Sequence, residues 1–313
     1  MNKIAFLFPG QGSQSIGMLA ELARLTPLVK NTFDEASQAL GVNLWQLAQH
    51  GPEERLNATD ITQPVMLAAG VACWRVWQDQ GGRRPDFMAG HSLGEYTALV
   101  AAGTLNFDDA IPLVAERARL MQLATPAGSG AMAAILGLDD PTLSQVCAAA
   151  AQGQVVSSAN FNAPGQVVIA GHSAAVQRAC AGALEAGARR AVPLAVSVPS
   201  HCALMRNAAL EFEITLADTA FSGGGIPVLH NVDVQAHTTG ESIRAALARQ
   251  LWMPVRWTQT IKELESRGVT RYAECGPGKV LSGLNRRIVR GAETVALTDL
   301  EGIQKTVLEW SKR

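Results

Sequence analysis

The sequence has few of the features that mark secreted proteins or nucleic-acid binders. Its five cysteines are scattered through 313 residues without a C-x-x-C pair. That spacing argues against a disulfide framework or a structural zinc site and favours free thiols in a reducing compartment. Lys and Arg number 26 against 27 Asp and Glu, for a formal net charge of -1, so the chain is not a broadly basic nucleic-acid binder.

Long hydrophobic runs are also missing. No segment approaches the roughly 20 apolar residues that a membrane-spanning helix needs. The N-terminal MNKIAFLFPG reaches Pro9 and Gly10 too early for the apolar core of a signal peptide. We therefore expect a cytoplasmic protein without membrane contact. With 48% hydrophobic residues, the chain can bury a large core, as one domain or as a domain carrying a smaller insert.

Apolar segments alternate between strand and helix periodicity. Lys3–Phe8 and Asp86–Ala89 are predicted strands, and Thr62–Gln78 and Phe107–Leu123 are predicted helices. This alternation predicts an α/β core with a mostly parallel sheet. Further predicted elements are a helix after His201, strands near Val228–Asn231 and Tyr272–Glu274, and a last helix ending near Trp310.

A shorter pattern occupies the middle of the chain, in the order βαββαβ. This order is typical of the split βαβ, ferredoxin-like arrangement. We predict that residues 128–197 form an inserted subdomain and that residues 1–127 and 198–313 form the core. The predicted elements are the strand AMAAILGL, the helix Pro141–Ala151, the strands GQVVSSAN and GQVVIAG, the helix Ser173–Ala186 and the strand RRAVPLAVS.

A glycine-framed serine stands in AGHSLGEYTALV, residues 89–100. Gly-x-Ser-x-Gly between a strand and a helix is the pattern of a nucleophile elbow, in which small neighbours let the backbone turn sharply and present the Ser92 hydroxyl. The N–H of Leu93 would then lie at a helix N-terminus and point at developing negative charge. Without a catalytic partner, the same serine would be an ordinary helix cap.

A serine needs a base, and His201 is the best placed of the six histidines. It follows VPLAVSVPS, at the predicted carboxyl end of a strand, where α/β enzymes gather functional groups. The segment FPGQGSQ has Ser15 where a dinucleotide-binding loop would need its third glycine. We interpret it as a loop after the first strand that offers the N–H of Gln11 as a second oxyanion donor.

Six motifs occur in one order over nearly the whole chain: FPGQGSQ, TQPV, GHSLGEYTALVAAG, ERARLM, NFNAPGQVVIAG and VPSH. Together they resemble the malonyl-CoA:acyl-carrier-protein transacylases of type II fatty-acid synthesis. The resemblance implies an α/β-hydrolase-like core with an inserted ferredoxin-like subdomain, in agreement with the βαββαβ pattern. It further implies an acyltransferase that needs no metal or redox cofactor.

The resemblance also assigns roles. Ser92 would be the acylated nucleophile and His201 its base, oriented by the main-chain carbonyl of Gln250. The N–H groups of Gln11 and Leu93 would form the oxyanion hole. Arg117, in ERARLM, would bind the free carboxylate of malonate, because a buried guanidinium offers a bidentate fork. Judged from the residues alone, a solvated helix position like that of its neighbour Arg119 is favoured for Arg117.

The implied reaction is a ping-pong transfer of malonyl from malonyl-CoA to the phosphopantetheine thiol of acyl carrier protein, by a protein expected to act as a monomer. Both partners carry phosphate, and carrier proteins are commonly acidic, so a basic surface is expected. Candidates are the pairs Arg189–Arg190 and Arg286–Arg287, each equally readable as ordinary solubilising charge. Asn162, with Asn160 and Gln166, could line the cleft or simply build a turn.

Three other functions fit the same motifs. A serine hydrolase such as a thioesterase would use Ser92 and His201 but deliver the acyl group to water. A non-catalytic docking module for carrier proteins would not need the serine at all. A transacylase of malonate catabolism or polyketide synthesis would differ only in its physiological carrier. The sequence also leaves open the selectivity against acetyl and methylmalonyl groups.

Overall fold

The computed structural model describes residues 2–126, 128–195 and 198–311, which form two sheets with helices packed around them. The strands are β1 (Lys3–Phe8), β2 (Phe87–Gly90), β3 (Gly130–Leu136), β4 (Val156–Ala163), β5 (Gln166–His172), β6 (Arg190–Pro193), β7 (Val228–Leu229), β8 (Val269–Glu274) and β9 (Glu293–Ala296). The helices are α1 (Ala20–Leu25), α2 (Pro27–Leu40), α3 (Leu44–His50), α4 (Glu53–Leu56), α5 (Thr59–Asp79), α6 (Gly94–Ala101), α7 (Phe107–Leu123), α8 (Asp140–Ala151), α9 (Ser173–Glu185), α10 (Arg206–Asp218), α11 (Gly240–Gln250), α12 (Trp257–Ser266), α13 (Val280–Ile288) and α14 (Leu300–Ser311).

The larger sheet is parallel throughout, in the order β7-β2-β1-β8-β9. Its central strand β1 buries five of six residues, as expected for a parallel strand covered on both faces. Phe8 pairs with Gly90 at the carboxyl ends of β1 and β2. The loop after β1 and the turn after β2 therefore lie side by side. The predicted parallel α/β core is confirmed.

The core above this sheet is built on α5, a helix of 21 residues that is buried along most of its length. Phe6 of β1 packs edge-on against Trp74 at 5.4 Å and against Trp77 at 5.0 Å between ring centroids. Such aromatic contacts anchor the helix to the sheet. The buried polar residues on α5 are Thr59, Thr62 and Gln63.

The smaller sheet is antiparallel, in the order β4-β5-β3-β6, with α8 and α9 packed on one face. A separate apolar cluster, which includes Leu143 and Val176, fills the space between helices and sheet. The strand order is the one that a βαββαβ chain adopts in a ferredoxin-like unit. The inserted ferredoxin-like arrangement is confirmed.

Several predicted boundaries were wrong for local reasons. Strand β4 begins at Val156, three residues later than predicted, because Gln152 and Gly153 adopt positive φ and end α8 in a turn. Strand β6 ends at Pro193 instead of continuing to residue 197, and residues 196 and 197 of that prediction lie outside the described residues. The edge strand β9 was missed because its four residues are half-exposed and carry no buried apolar run.

The division into residues 1–127 with 198–313 and residues 128–197 stays a prediction. Residues 127, 196 and 197, at its two boundaries, lie outside the described part of the chain. Within that part, none of the helices is both long enough and apolar enough to cross a membrane.

Candidate active site

The turn after β2 holds Ser92 in a left-handed conformation, with φ of +52°. A residue with a Cβ pays about 1 kcal/mol or more for this geometry. The flanking glycines make room for it: a Cβ on Gly90 would lie 1.9 Å from the Gly94 carbonyl carbon, and one on Gly94 would lie 2.0 Å from the Phe8 oxygen. The Gly-x-Ser-x-Gly pattern is thus required by close backbone contacts, and it presents Ser92 at the carboxyl edge of the sheet.

His201 reaches Ser92 from a distant part of the chain. Its Nε2 lies 2.7 Å from Ser92 Oγ, and its side chain is buried. The residue itself has φ of +62° and precedes a short 3-10 turn, Ala203–Met205, that leads into α10. Its backbone N–H donates to the carbonyl of Leu251 at 3.0 Å, which anchors the loop against the end of α11.

The carbonyl of Gln250 selects the tautomer of His201. A carbonyl oxygen only accepts hydrogen bonds, so Nδ1 of His201 donates to it across 2.7 Å. In the neutral ring Nε2 is then free to accept the hydrogen of the Ser92 hydroxyl. Burial, together with the nearby charge of Arg117, lowers the pKa of His201 to about 3. The imidazole is therefore a neutral base at pH 7.

The two predicted oxyanion donors lie in the adjacent loops after β1 and β2. A Cβ on Gly10 would lie 2.4 Å from the His91 oxygen and 3.7 Å from the Leu93 nitrogen, so the two loops are in contact. Among the described residues, neither the Gln11 nor the Leu93 backbone N–H donates a hydrogen bond. Both amides are therefore available to an oxyanion formed beside Ser92.

Arg117 is buried, with 1% of its surface exposed. Its Nη1 donates to Gln63 Oε1 at 2.7 Å. Its Nη2 donates to Gln250 Oε1 at 2.9 Å and to Ser92 Oγ at 3.2 Å. Within the described residues no carboxylate forms an ion pair with this guanidinium. The solvated-helix interpretation was wrong, because Arg117 is buried and its guanidinium contacts Ser92 Oγ.

These groups line one cavity of about 200 Å³ between the two sheets. Its polar end carries the serine, histidine and arginine, and Met121, one turn after Arg117, forms part of the wall. Over the described chain, no group of three or more His, Cys, Asp or Glu is arranged to hold a metal ion. The remaining lining includes Gln11, Gln63, Leu93, Met132, Asn160, Asn162, Val168, Val280, Leu281 and Leu284.

Comparisons with known proteins agree with this geometry. Residues 5–302 match the acyl transferase domain family. The malonyl CoA-acyl carrier protein transacylase of Escherichia coli K12 is 56% identical over 299 residues, which cover 96% of this chain and 97% of that protein. The chain belongs to the malonyl-CoA:acyl carrier protein transacylases of the acyl transferase family.

Solved transacylase structures share the fold closely. The malonyl CoA-acyl carrier protein transacylase of Coxiella burnetii has a TM-score of 0.97 at 50% identity, covering 98% of this chain and 97% of that one. A malonyl transacylase in complex with a type II polyketide synthase acyl carrier protein has a TM-score of 0.96 at 53% identity, covering 98% of this chain and 99% of that one.

Other predicted site residues of this transacylase lie around the cavity or beyond it. Asn162 lines the cavity, but its Oδ1 is engaged by His91 Nε2 at 2.8 Å. Arg190 lies outside the cavity and, with Arg189 and Arg287, lines a second one that also includes Leu136. We call Arg189, Arg190 and Arg287 the basic rim.

Arg286 is separate from the basic rim. It is exposed, and its Nη2 donates to the carbonyl of Thr294 on β9 at 3.3 Å. Gln166 does not line the catalytic cavity; its Oε1 instead accepts a hydrogen bond from Arg287 Nη1. The two predicted arginine pairs therefore contribute three members to one surface and leave the fourth on another.

Sequence reasoning missed three buried polar residues of this transacylase site: Gln63, Glu95 and Asn231. His230 is likewise fully buried, with Nδ1 2.7 Å from Glu95 Oε1. A signal existed for two of them, because Gln63 and Glu95 are polar residues in otherwise apolar helical segments. Asn231 had no comparable signal, since its partners are distant in sequence.

Proposed function

We propose that the protein transfers the malonyl group of malonyl-CoA to the phosphopantetheine thiol of acyl carrier protein through a malonyl ester on Ser92. The observation that carries this proposal is the buried guanidinium of Arg117, 3.2 Å from Ser92 Oγ. A malonyl group has its free carboxylate two carbons from the thioester carbonyl, so one acyl group can reach both residues. An acetyl group has no carboxylate that could bind the Arg117 guanidinium.

In the first half-reaction Ser92 Oγ attacks the thioester carbonyl while His201 Nε2 accepts the hydroxyl proton. The N–H groups of Gln11 and Leu93 stabilise the tetrahedral oxyanion, a contribution of about a hundredfold per donor in comparable sites. As the carbon–sulfur bond breaks, His201 returns the proton to sulfur and coenzyme A leaves as the thiol. The malonyl carboxylate stays on Arg117.

In the second half-reaction His201 takes the proton of the phosphopantetheine thiol, which attacks the malonyl ester. The same two amides stabilise the second oxyanion. The bond to Ser92 Oγ breaks, and the proton on His201 returns to the serine. In each half-reaction His201 gives up the proton that it accepted earlier in the same half-reaction. The enzyme is therefore regenerated without any other co-reactant.

The basic rim fits the partners of both half-reactions. Leu284 of the catalytic cavity and Arg287 of the rim lie three residues apart on α13, so they share a helix face. Coenzyme A carries phosphates, and an acidic carrier protein would be drawn to the same charges. This helix face supports a role for the rim in attracting the phosphates of coenzyme A and the acidic surface of the carrier protein.

Three smaller proposals accompany the reaction. The enzyme acts as a monomer, because all the groups assigned above come from one chain. It works in the cytoplasm, in line with its free cysteines. Its chain divides at residues 127/128 and 197/198 into the catalytic core and the ferredoxin-like subdomain.

Intact-mass spectrometry tests the reaction directly. Malonyl-CoA should add one malonyl group to the protein and none to Ser92→Ala, and holo carrier protein should then remove the group as malonyl-carrier. Fast release of coenzyme A without any acceptor, continuing past one equivalent, would show transfer to water and overturn the transferase assignment. Malonyl transfer by Ser92→Ala at the wild-type rate would overturn the serine ester.

A further inference from the structure

One buried carboxylate behind the catalytic cavity has no part in the mechanism above. Glu95 stands three residues after the nucleophile, on the first turn of α6, and is fully buried. Its Oε1 lies 2.7 Å from His230 Nδ1. Its Oε2 accepts from the backbone N–H of Asn231 at 2.9 Å and from Gln250 Nε2 at 3.0 Å. A buried carboxylate with several N–H donors is a strongly oriented group.

Gln250 connects Glu95 to the catalytic groups. Its Nε2 donates to Glu95 and also to the Ser92 carbonyl at 3.0 Å. Because both of these partners only accept, the carboxamide must turn its Oε1 the other way, and there it accepts from Arg117 Nη2 at 2.9 Å. Glu95 and the Ser92 carbonyl together determine which end of the Gln250 side chain faces the arginine.

Asn231 connects Glu95 to the strained turn. Its Oδ1 accepts from the Ser92 N–H at 2.7 Å, and its Nδ2 donates to the Gly90 carbonyl at 2.7 Å. These two hydrogen bonds connect Asn231 to both Gly90 and Ser92, the residues of the sharp turn. With its backbone N–H bonded to Glu95, the asparagine is fixed relative to the same carboxylate that fixes Gln250.

The negative charge of Glu95 also acts on Arg117. Burial lowers the pKa of Arg117, and the nearby charge of Glu95 opposes that shift. A carboxylate in direct contact with the guanidinium would fill the fork that the substrate needs. With the neutral Gln250 carboxamide between them, Glu95 helps to balance the cation without forming an ion pair with it, and Arg117 Nε has no partner among the described residues.

We infer that Glu95 is a positioning residue for malonyl specificity: through Gln250 it orients Arg117 for the substrate carboxylate, and through Asn231 it holds the Ser92 turn. This inference rests on the proposed function, because it takes Arg117 to be the malonate anchor. Glu95 acts through its neighbours and contacts neither the substrate nor the reacting atoms.

The test measures the rate constant for Ser92 acylation by malonyl-CoA and by acetyl-CoA, using intact mass, for wild type and Glu95→Gln. The amide removes the negative charge beside Arg117 and keeps only one acceptor oxygen for the neighbouring Asn231, Gln250 and His230. We expect malonyl acylation to fall about 100-fold, the effect of roughly 1 Å of misplacement. The malonyl/acetyl ratio should fall about tenfold, the value of one lost charged hydrogen bond.

A purely structural role would lower both rates equally and leave the ratio unchanged, which would overturn the inference. Glu274→Gln is the matched control, because Glu274 is also fully buried and accepts backbone N–H bonds from Leu281 and Ser282. Its substitution should lower thermal stability without changing the ratio. In an Arg117→Ala background, adding Glu95→Gln should change the ratio by less than about twofold, because coupled residues are not additive.

If Glu95→Gln fails to fold by circular dichroism, Gln250→Met carries the test. It removes the connecting carboxamide but keeps the backbone carbonyl that orients His201. The same tenfold loss of ratio is expected, and an unchanged ratio would overturn the inference. The wild-type measurement separates the two proposals: without a malonyl adduct on Ser92 the proposed function fails, whereas a normal adduct with an unaltered ratio in both variants rejects only the role of Glu95.

Discussion

Arg117 and the basic rim are both positively charged, but Arg117 is buried and the rim is exposed. Arg117 is buried, and its guanidinium is held by Gln63 and Gln250. The rim arginines are exposed, and one of them, Arg287, donates a hydrogen bond to Gln166. A desolvated, oriented guanidinium discriminates between acyl groups because its interactions are not screened by water. Exposed guanidinium groups attract phosphates and acidic surfaces but select little.

Arg117 and the basic rim also differ in how much a bound anion lowers their electrostatic free energy. A buried cation without a direct carboxylate partner is costly, and a substrate carboxylate relieves that cost. The rim is solvated with or without a partner. Malonate should therefore gain most of its selectivity at Arg117, and the carrier protein most of its rate of encounter at the rim.

The largest effect should come from Arg117→Ala. Loss of a bidentate charged contact should lower the rate of malonyl acylation by about 100-fold or more, whereas acetyl acylation, which does not use the guanidinium, should change little. Rapid-quench intact-mass measurements with both acyl-CoAs check this. Arg119→Ala is the control, because Arg119 is on the same helix but exposed and paired with Glu116. Equal losses in the rates of malonyl and acetyl acylation would contradict selective recognition of malonyl by Arg117.

A pH profile should show the next largest effect. The lowered pKa of His201, about 3, leaves the base neutral at pH 5, where an ordinary histidine of pKa 6.5 would be about 97% protonated. The kcat/KM for acylation by malonyl-pantetheine, which carries no phosphate, should therefore fall less than about threefold from pH 7.5 to 5, instead of about 30-fold. An acidic limb centred near pH 6.5 would contradict the burial argument.

The same shift has a stability consequence with a definite sign. Between pH 3 and 6.5 the unfolded chain binds a proton at His201 that the native protein does not. The free energy of unfolding should therefore contain a contribution that is fully present above pH 6.5 and is lost as the pH falls toward 3. Circular dichroism at each pH separates this loss from the effect on the base.

The smallest effect should come from the basic rim. Arg190→Ala with Arg287→Ala should raise the KM for holo carrier protein about fivefold and weaken its dependence on salt, because exposed charges contribute mainly to association. Steady-state kinetics at two ionic strengths check this. Arg286→Ala is the matched control, since Arg286 faces β9 and should leave the KM within about twofold. A large loss of kcat in the double variant would place the rim in the chemistry.

The predictable parts of the fold are those with strong periodic patterns. The predicted bounds Lys3–Phe8 and Phe107–Leu123 agree with β1 and α7 at both ends. Strand β4 was misplaced because the turn at Gln152 and Gly153 depends on backbone φ values that composition does not reveal. The short strand β9 exists because β8 offers it a hydrogen-bonding edge.

The candidate site also has parts that could be predicted from the sequence and parts that could not. The residues flanking Ser92 specify its turn locally, because Gly90 and Gly94 are required within five residues of chain. Motif order was enough to predict that Ser92, Arg117 and His201 meet. The network of Glu95, Asn231 and Gln250 was not predictable, because its contacts join residues more than 130 positions apart.

The amino-acid sequence alone therefore determined the periodic elements and the elbow that presents Ser92, since each depends on neighbours along the chain. The tertiary structure determined that Arg117 is buried beside Ser92, that the Gln250 carbonyl accepts a hydrogen bond from His201, and that Glu95 bonds to Gln250. Burial and hydrogen bonding depend on which segments pack together, and a helix such as ERARLM has the same letters whether its arginine faces water or a cavity.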